Sequence, residues 1–112
     1  MKINFENKKL ETVCNNEKLL IKEYGKINGK KIKRRLDDLS AANNLEEVRN
    51  LPGKCHELIG GRKGQLSIHV EEPHRLIFKP NHAPEATTNS GSLNWKTVTN
   101  ITIIEITNYH GK

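Results

Sequence analysis

The stretch Gln65-Leu66-Ser67-Ile68-His69-Val70-Glu71-Glu72-Pro73-His74-Arg75-Leu76-Ile77-Phe78-Lys79 decides how the chain is read. Leu66, Ile68 and Val70 alternate with Gln65, Ser67 and His69, a period of two that belongs to a strand with one buried face. Glu71-Glu72-Pro73 breaks the pattern, and an apolar run resumes from Arg75 to Lys79. Two strands joined by a tight connection, paired as an antiparallel hairpin, are the natural outcome. In the second strand Arg75 shares a face with Ile77 and Lys79, opposite Leu76 and Phe78. Arg75 therefore lies either on an exposed face or in a buried pair.

Working outward to the C-terminus, the stretch from Pro80 to Trp95 holds Pro, Asn, Thr, Ser and Gly with little hydrophobic pattern. It reads as an inserted loop over residues 80–96, a candidate lid or partner-binding element as well as a tolerated surface insertion. Val98 to Ile106 is β-branched and apolar, the composition of a central, well-buried strand. Toward the N-terminus the period changes to about 3.6. Ile32, Leu36 and Leu39 fall at i, i+4 and i+7 in a helix expected from about Asn28 to Asn43, with its lysines and arginines on the opposite face. Leu10, Val13, Cys14, Leu20, Ile21 and Tyr24 mark an earlier helix, with a break at Asn15-Asn16 and a stop at Gly25. A helical turn follows at Leu45 to Asn50, and Ile3 and Phe5 suggest a short opening strand. The sum is a single α+β domain over residues 1–112, in which an N-terminal strand and two main helices pack on a largely antiparallel C-terminal sheet.

Composition narrows the function classes. The chain has 112 residues, 19 Lys+Arg against 13 Asp+Glu, and a formal charge of +6. Two domains of half this length would each bury too little surface to be stable. No apolar run approaches the roughly 18 residues that span a bilayer, and the N-terminus carries no signal-peptide core. Cys14 and Cys55 stand far apart and in no CxxC pair, so neither a disulfide framework nor a zinc ribbon is expected; the simplest address is a reducing cytoplasm. The charge surplus is confined to Met1–Gly64, where 15 basic residues face 9 acidic ones. Lys26, Lys30, Lys31, Lys33, Arg34 and Arg35 form a run without an acidic residue, as expected for attraction to RNA, DNA or an acidic partner; a solvated helix face gives the same pattern.

Three polar clusters could carry chemistry. Cys55-His56-Glu57-Leu58-Ile59-Gly60-Gly61-Arg62-Lys63-Gly64 places a histidine before a glycine-rich, doubly basic turn able to approach an anion, although a plain glycine turn has the same look. It matches neither the phosphate loop of NTPases nor GxGxxG, so no nucleotide cofactor is indicated. His74-Arg75 opens a strand, and Arg suits bidentate recognition of phosphate. Tyr109-His110 directly follows the most hydrophobic strand. Together they supply what metal-free RNA cleavage requires, namely a proton acceptor for the 2′-hydroxyl, cations for the developing phosphorane charge and a proton donor for the 5′-oxygen. His56 and His110 are candidates for the proton transfers, Arg75 and Lys63 for charge, and Tyr109 for stacking on a base. His69 and His74 flank a turn and Cys14 is remote from Cys55, so no metal-ligand spacing is present.

The residues His56-Glu57-Leu58, Gly60, Lys63-Gly64-Gln65-Leu66-Ser67-Ile68, Arg75-Leu76-Ile77-Phe78 and Ile103-Ile104-Glu105-Ile106-Thr107-Asn108-Tyr109-His110 resemble the HigB-type branch of the RelE/ParE toxin superfamily. The resemblance covers about Lys54 to Lys112, with looser agreement in the opening strand and helices. It implies a ribosome-dependent mRNA endonuclease partnered by a HigA-like helix-turn-helix antitoxin, with operator DNA reached only through that antitoxin. It puts His56, Arg75, Tyr109 and His110 on family active-site positions. Asn108 stands where the family often has Asp, Ile59 where some members have Lys, and His74 where others have an aromatic residue. Arg62, Lys63, Lys30, Lys31, Arg34 and Arg35 are the expected RNA-contacting cations. The alternatives are a ParE-like toxin that inhibits DNA gyrase without catalysis, and a basic RNA-binding module with no activity.

Overall fold

The computed structural model describes residues 1–81 and 92–108. A first strand, β1 (Lys2–Phe5), leads into α1 (Lys8–Cys14), α2 (Glu17–Tyr24), α3 (Lys26–Ala41) and the short α4 (Leu45–Val48). The second half contributes β2 (His56–Glu57), a 3-10 turn at Gly60–Arg62, β3 (Leu66–His69), β4 (His74–Pro80), a second 3-10 turn at Trp95–Thr97 and β5 (Asn100–Asn108). The five strands form one sheet in the order β1-β5-β4-β3-β2, with β1 parallel to β5 and every other pairing antiparallel. This is the α+β arrangement expected from the change of period along the chain.

Local chemistry explains where the helices begin and end. Asn7 and Asn16 each cap a helix, their side-chain oxygens accepting from the backbone N–H groups of Leu10 and Leu19. The Asn15-Asn16 break therefore separates two helices rather than bending one. Gly25, at φ +92°, joins α2 to α3, so the long helix starts at Lys26, two residues earlier than the sequence pattern suggested. At Asn44 the side chain accepts from the Glu47 N–H, and the Glu47 carboxylate accepts from the Asn43 backbone and amide. Those two bonds hold the Glu47 carboxyl below its ordinary pKa.

The helices cover one face of the sheet. Leu20, Ile32, Leu39, Leu45 and Val48 pack with Leu66, Ile68, Leu76, Phe78, Ile101 and Ile103 in a single cluster, all fully buried. Ile32, Leu36 and Leu39 thus face inward as their spacing required. Helices α2 and α3 cross so closely that a Cβ on Gly29 would lie 2.7 Å from the Ile21 backbone. Gly29→Ala should therefore destabilise the protein by about 1–3 kcal/mol, because overpacking outweighs the gain of about 1 kcal/mol in helix propensity. Urea unfolding at neutral pH measures this; a neutral or stabilising result would show that the two helices part without cost.

Three expectations need correction. Arg35 does not join the outer row of cations: its position between Ile32 and Leu36 turns it inward, where its Nε donates to the His69 carbonyl at 3.0 Å and its guanidinium stands 3.7 Å from the Asp38 carboxylate. Its side chain is only 8% exposed, so it fastens α3 to the end of β3 and is closed to RNA. The last strand runs from Asn100 to Asn108 rather than from Val98 to Ile106, and a bulge shifts its register against β4 between Ile77 and Phe78. Because Ile77 pairs with Glu105 and Phe78 with Ile103, Ile104 is the extra residue, and it lines a cleft with Ile106 and Tyr24. The 80–96 segment is not wholly an apolar-free loop either: residues 82–91 lie outside the described part, but Trp95 is buried, its Nε1 donating to Glu57 at 2.9 Å and the Arg49 guanidinium stacking 3.7 Å from its ring.

Candidate active site on the far face of the sheet

Strand alternation puts a second set of side chains on the face turned away from the helices. In β3 the core takes Leu66 and Ile68, which leaves Ser67 and His69 on the far face; in β4 it takes Leu76 and Phe78, which leaves Arg75 and Ile77 there. The register then aligns these residues across strands. His56 pairs with Ser67, Ser67 with Ile77, and Ile77 with Glu105; in the next row His69 pairs with Arg75 and Arg75 with Thr107. His56, His69 and Arg75 come together on three adjacent strands for this reason alone.

The geometry within the cluster is specific. The His56 and His69 rings lie 6.3 Å apart, centroid to centroid, at an interplanar angle of 65°. His56 Nδ1 is 2.9 Å from the Lys54 carbonyl, and because a carbonyl only accepts, Nδ1 carries the hydrogen and Nε2 remains as the acceptor in the neutral ring. Arg75 donates to Glu72 at 3.2 Å and to the His74 carbonyl at 3.1 Å, with its side chain 15% exposed. His69 Nδ1 stands 3.5 Å from the other Glu72 carboxylate oxygen. Burial, then the positive charge of Arg75, hold the His69 imidazole below its ordinary pKa, against the opposing pull of Glu72.

That shift makes stability depend on pH with a definite sign. The fold favours neutral His69, so its contribution is complete above the ordinary histidine value near 6.5 and is lost as pH falls through the depressed value. On acidification from pH 7.5 to 5.5 the wild-type protein should lose more unfolding free energy than His69→Asn. Equal losses in the two proteins would contradict the assignment.

The remaining sequence candidates separate. The glycine-rich segment after β2 folds back over the far face, because the Arg62 guanidinium pairs with the Glu105 carboxylate and donates to Gln65 at 2.7 Å. Arg62 is thus neutralised locally, while Lys63 is exposed and borders a groove of about 460 Å³ with Ile59, Gly64 and Leu93. Exposed Ile59 adds an apolar rim to that groove. His74, the neighbour of Arg75 in sequence, points to the opposite side and meets the Tyr24 ring edge-on at 6.0 Å. Of the basic run, Lys26, Lys30 and Arg34 are exposed at i, i+4 and i+8, whereas Lys31 pairs with Glu71 at 3.1 Å and Lys33 with Asp37 at 3.0 Å. Tyr109 and His110 lie outside the described residues.

His69, Glu72 and Glu105 were not singled out as site residues by the sequence. The signal for His69 was present: the hairpin of β3 and β4 turns about Val70–Pro73, which sets His69 opposite Arg75. Burial pushes the thiols of Cys14 and Cys55 up to about 11 and about 12, so neither supplies a thiolate nucleophile at neutral pH. Among the described residues no cluster of three or more His, Cys, Asp or Glu side chains could hold a metal ion, and no helix is long and apolar enough to cross a membrane. The arrangement suits an anionic ester: two imidazoles for proton transfer beside a guanidinium for phosphate oxygens.

No protein-family model matches the chain, and no curated protein matches it in sequence. Among solved structures it is similar to a YoeB/ParE toxin from Agrobacterium tumefaciens, with a TM-score of 0.58 and 12% sequence identity over 98% of this chain and 100% of that one. The α+β fold is therefore that of a YoeB/ParE-type toxin, with helices on one face of a mostly antiparallel five-stranded sheet.

Proposed function

We propose that the chain, as a single toxin domain, is the toxin of a toxin–antitoxin pair and acts as an endoribonuclease on ribosome-bound mRNA. The observation that supports this most is the joining of His56, His69 and Arg75 on the far face of a sheet whose fold is shared with a YoeB/ParE toxin. Attack of a 2′-hydroxyl on the adjacent phosphate needs no metal when imidazole and guanidinium groups converge in this way. In this reading His56 and His110 carry the proton transfers, Arg75 and Lys63 meet the developing charge, and Tyr109 stacks on a base. The exposed cations Lys26, Lys30 and Arg34 on α3 supply long-range attraction to RNA or to an acidic antitoxin segment. The partner is a HigA-like helix-turn-helix antitoxin, through which alone operator DNA is contacted.

Induced expression of the chain tests this, with sequencing of RNA 5′ ends. Cleavage inside translated transcripts, relieved by the antitoxin, is the expected result; growth arrest with intact mRNA would refute it. The second reading, ParE-like inhibition of DNA gyrase, draws on the ParE in the structural neighbour's name. A supercoiling assay separates the two, because gyrase inhibition that survives His110→Ala would favour a binding toxin.

A further inference from the structure

The imidazole of His69 lies in the same patch as His56 and Arg75. It projects from β3 on the same face as His56, and its register partner is Arg75. We infer that His69 is the proton acceptor for the attacking 2′-hydroxyl and that His56, across the β2–β3 pairing, is the proton donor to the departing 5′-oxygen. This rests on the ribonuclease reading and goes beyond it by adding His69 to the proton-transfer groups.

The step balances without a co-reactant. The 2′-O–H bond breaks as its proton passes to the ring nitrogen of His69, and the 2′-oxygen forms a bond to phosphorus. The P–O5′ bond breaks, and the 5′-oxygen takes a proton from protonated His56. The products are a 2′,3′-cyclic phosphate and a free 5′-hydroxyl, with the proton of one imidazole replaced by that on the other.

Three features of the site suit this division of labour. The groups that face His69 are His56 from β2, Lys54 just before it, Arg75 from β4 and Glu72 from the connecting turn, while Arg35 from α3 donates to its backbone carbonyl. Burial first, then Arg75, with smaller effects from His56 and Lys54, disfavours its protonated form against the pull of Glu72, which favours the neutral ring that an acceptor must be. The Glu72 carboxylate near Nδ1 orients the ring and directs Nε2 to the substrate. Arg75, next to His69 in register, is placed to hold the phosphate whose neighbour is being deprotonated.

Single-turnover cleavage of a ribosome-bound reporter mRNA by the full chain, between pH 5.5 and 8.5, tests the assignment. Wild type should gain rate with rising pH through the acid limb set by the acceptor. His69→Gln should lose 10²–10³-fold, within the range of about 10²–10⁴ for a general acid or base, and should lose that limb. A His69→Gln rate within threefold of wild type, or an unchanged acid limb, overturns the inference and leaves the ribonuclease reading standing. A silent wild type overturns both. The unmutated protein gives a second readout that does not depend on the folding of His69→Gln: adenosine 3′-monophosphate should shift the His69 and His56 ring resonances and raise the pH midpoint of His69. An unmoved His69 resonance overturns the assignment.

Discussion

On the proposed ribonuclease reading, replacing Arg75 by alanine is expected to lower mRNA cleavage by about 10²–10³-fold while leaving the fold intact. The side chain is only 15% exposed, held by Glu72 and the His74 carbonyl, so its guanidinium is fixed before substrate arrives. Fixed donors of this kind are worth about 10²–10³ in rate when one is removed, because they need no reorganisation as charge develops. Arg75→Lys should recover only part of the loss, since an ammonium keeps the charge but not the planar fork that grips two phosphate oxygens. The measurement is single-turnover cleavage by each variant, with thermal melting as the control for folding. Wild-type rates in Arg75→Ala would remove the phosphate-binding role, and equal rates in the lysine and alanine variants would show that charge contributes nothing.

Phe78→Ala should cost about 3–5 kcal/mol of stability, the usual range for emptying a large aromatic site. Phe78 is fully buried on the central strand β4, between Leu66 on β3 and Ile103 on β5, and packs into the helix-side core. Neighbours on both sides belong to strands fixed by their own hydrogen bonds, so the site cannot close over the cavity. Typical total stabilities of small domains are only about 5–15 kcal/mol, so the variant should unfold at a far lower urea midpoint. Ile104→Ala is the contrast: Ile104 lies at the bulge and lines an open cleft, and it should cost much less. Equal losses at the two positions would mean that the bulge is packed as tightly as the strand centre.

These two sites also show how much of the molecule can be read before folding. Leu76 and Phe78 face the core, and Arg75 and Ile77 oppose them, because successive side chains of a strand alternate by covalent geometry. The same logic placed Ile32, Leu36 and Leu39 inside a helix. It misplaced Arg35, since a 3.6-residue period leaves the edges of the apolar stripe undetermined, and a guanidinium there is buried only if another element offers an acceptor. The His69 carbonyl is that acceptor, 34 residues away in sequence. His74 and Arg75 looked like one polar cluster but lie on opposite faces, as alternation alone already required.

The sequence by itself determined the order of the main helices and of the strands other than β2, the inward faces of Ile32, Leu36 and Leu39 and of Leu76 and Phe78, and the choice of His56 and Arg75 as chemically able groups. Only the tertiary structure decided that His56 stands beside His69, that Arg62 is neutralised by Glu105, and that the α3 cations divide into exposed and paired. The difference is physical. Periodicity follows from bonds within a few residues, whereas lateral strand neighbours and helix docking depend on contacts between distant parts of the chain, whose register no local pattern encodes.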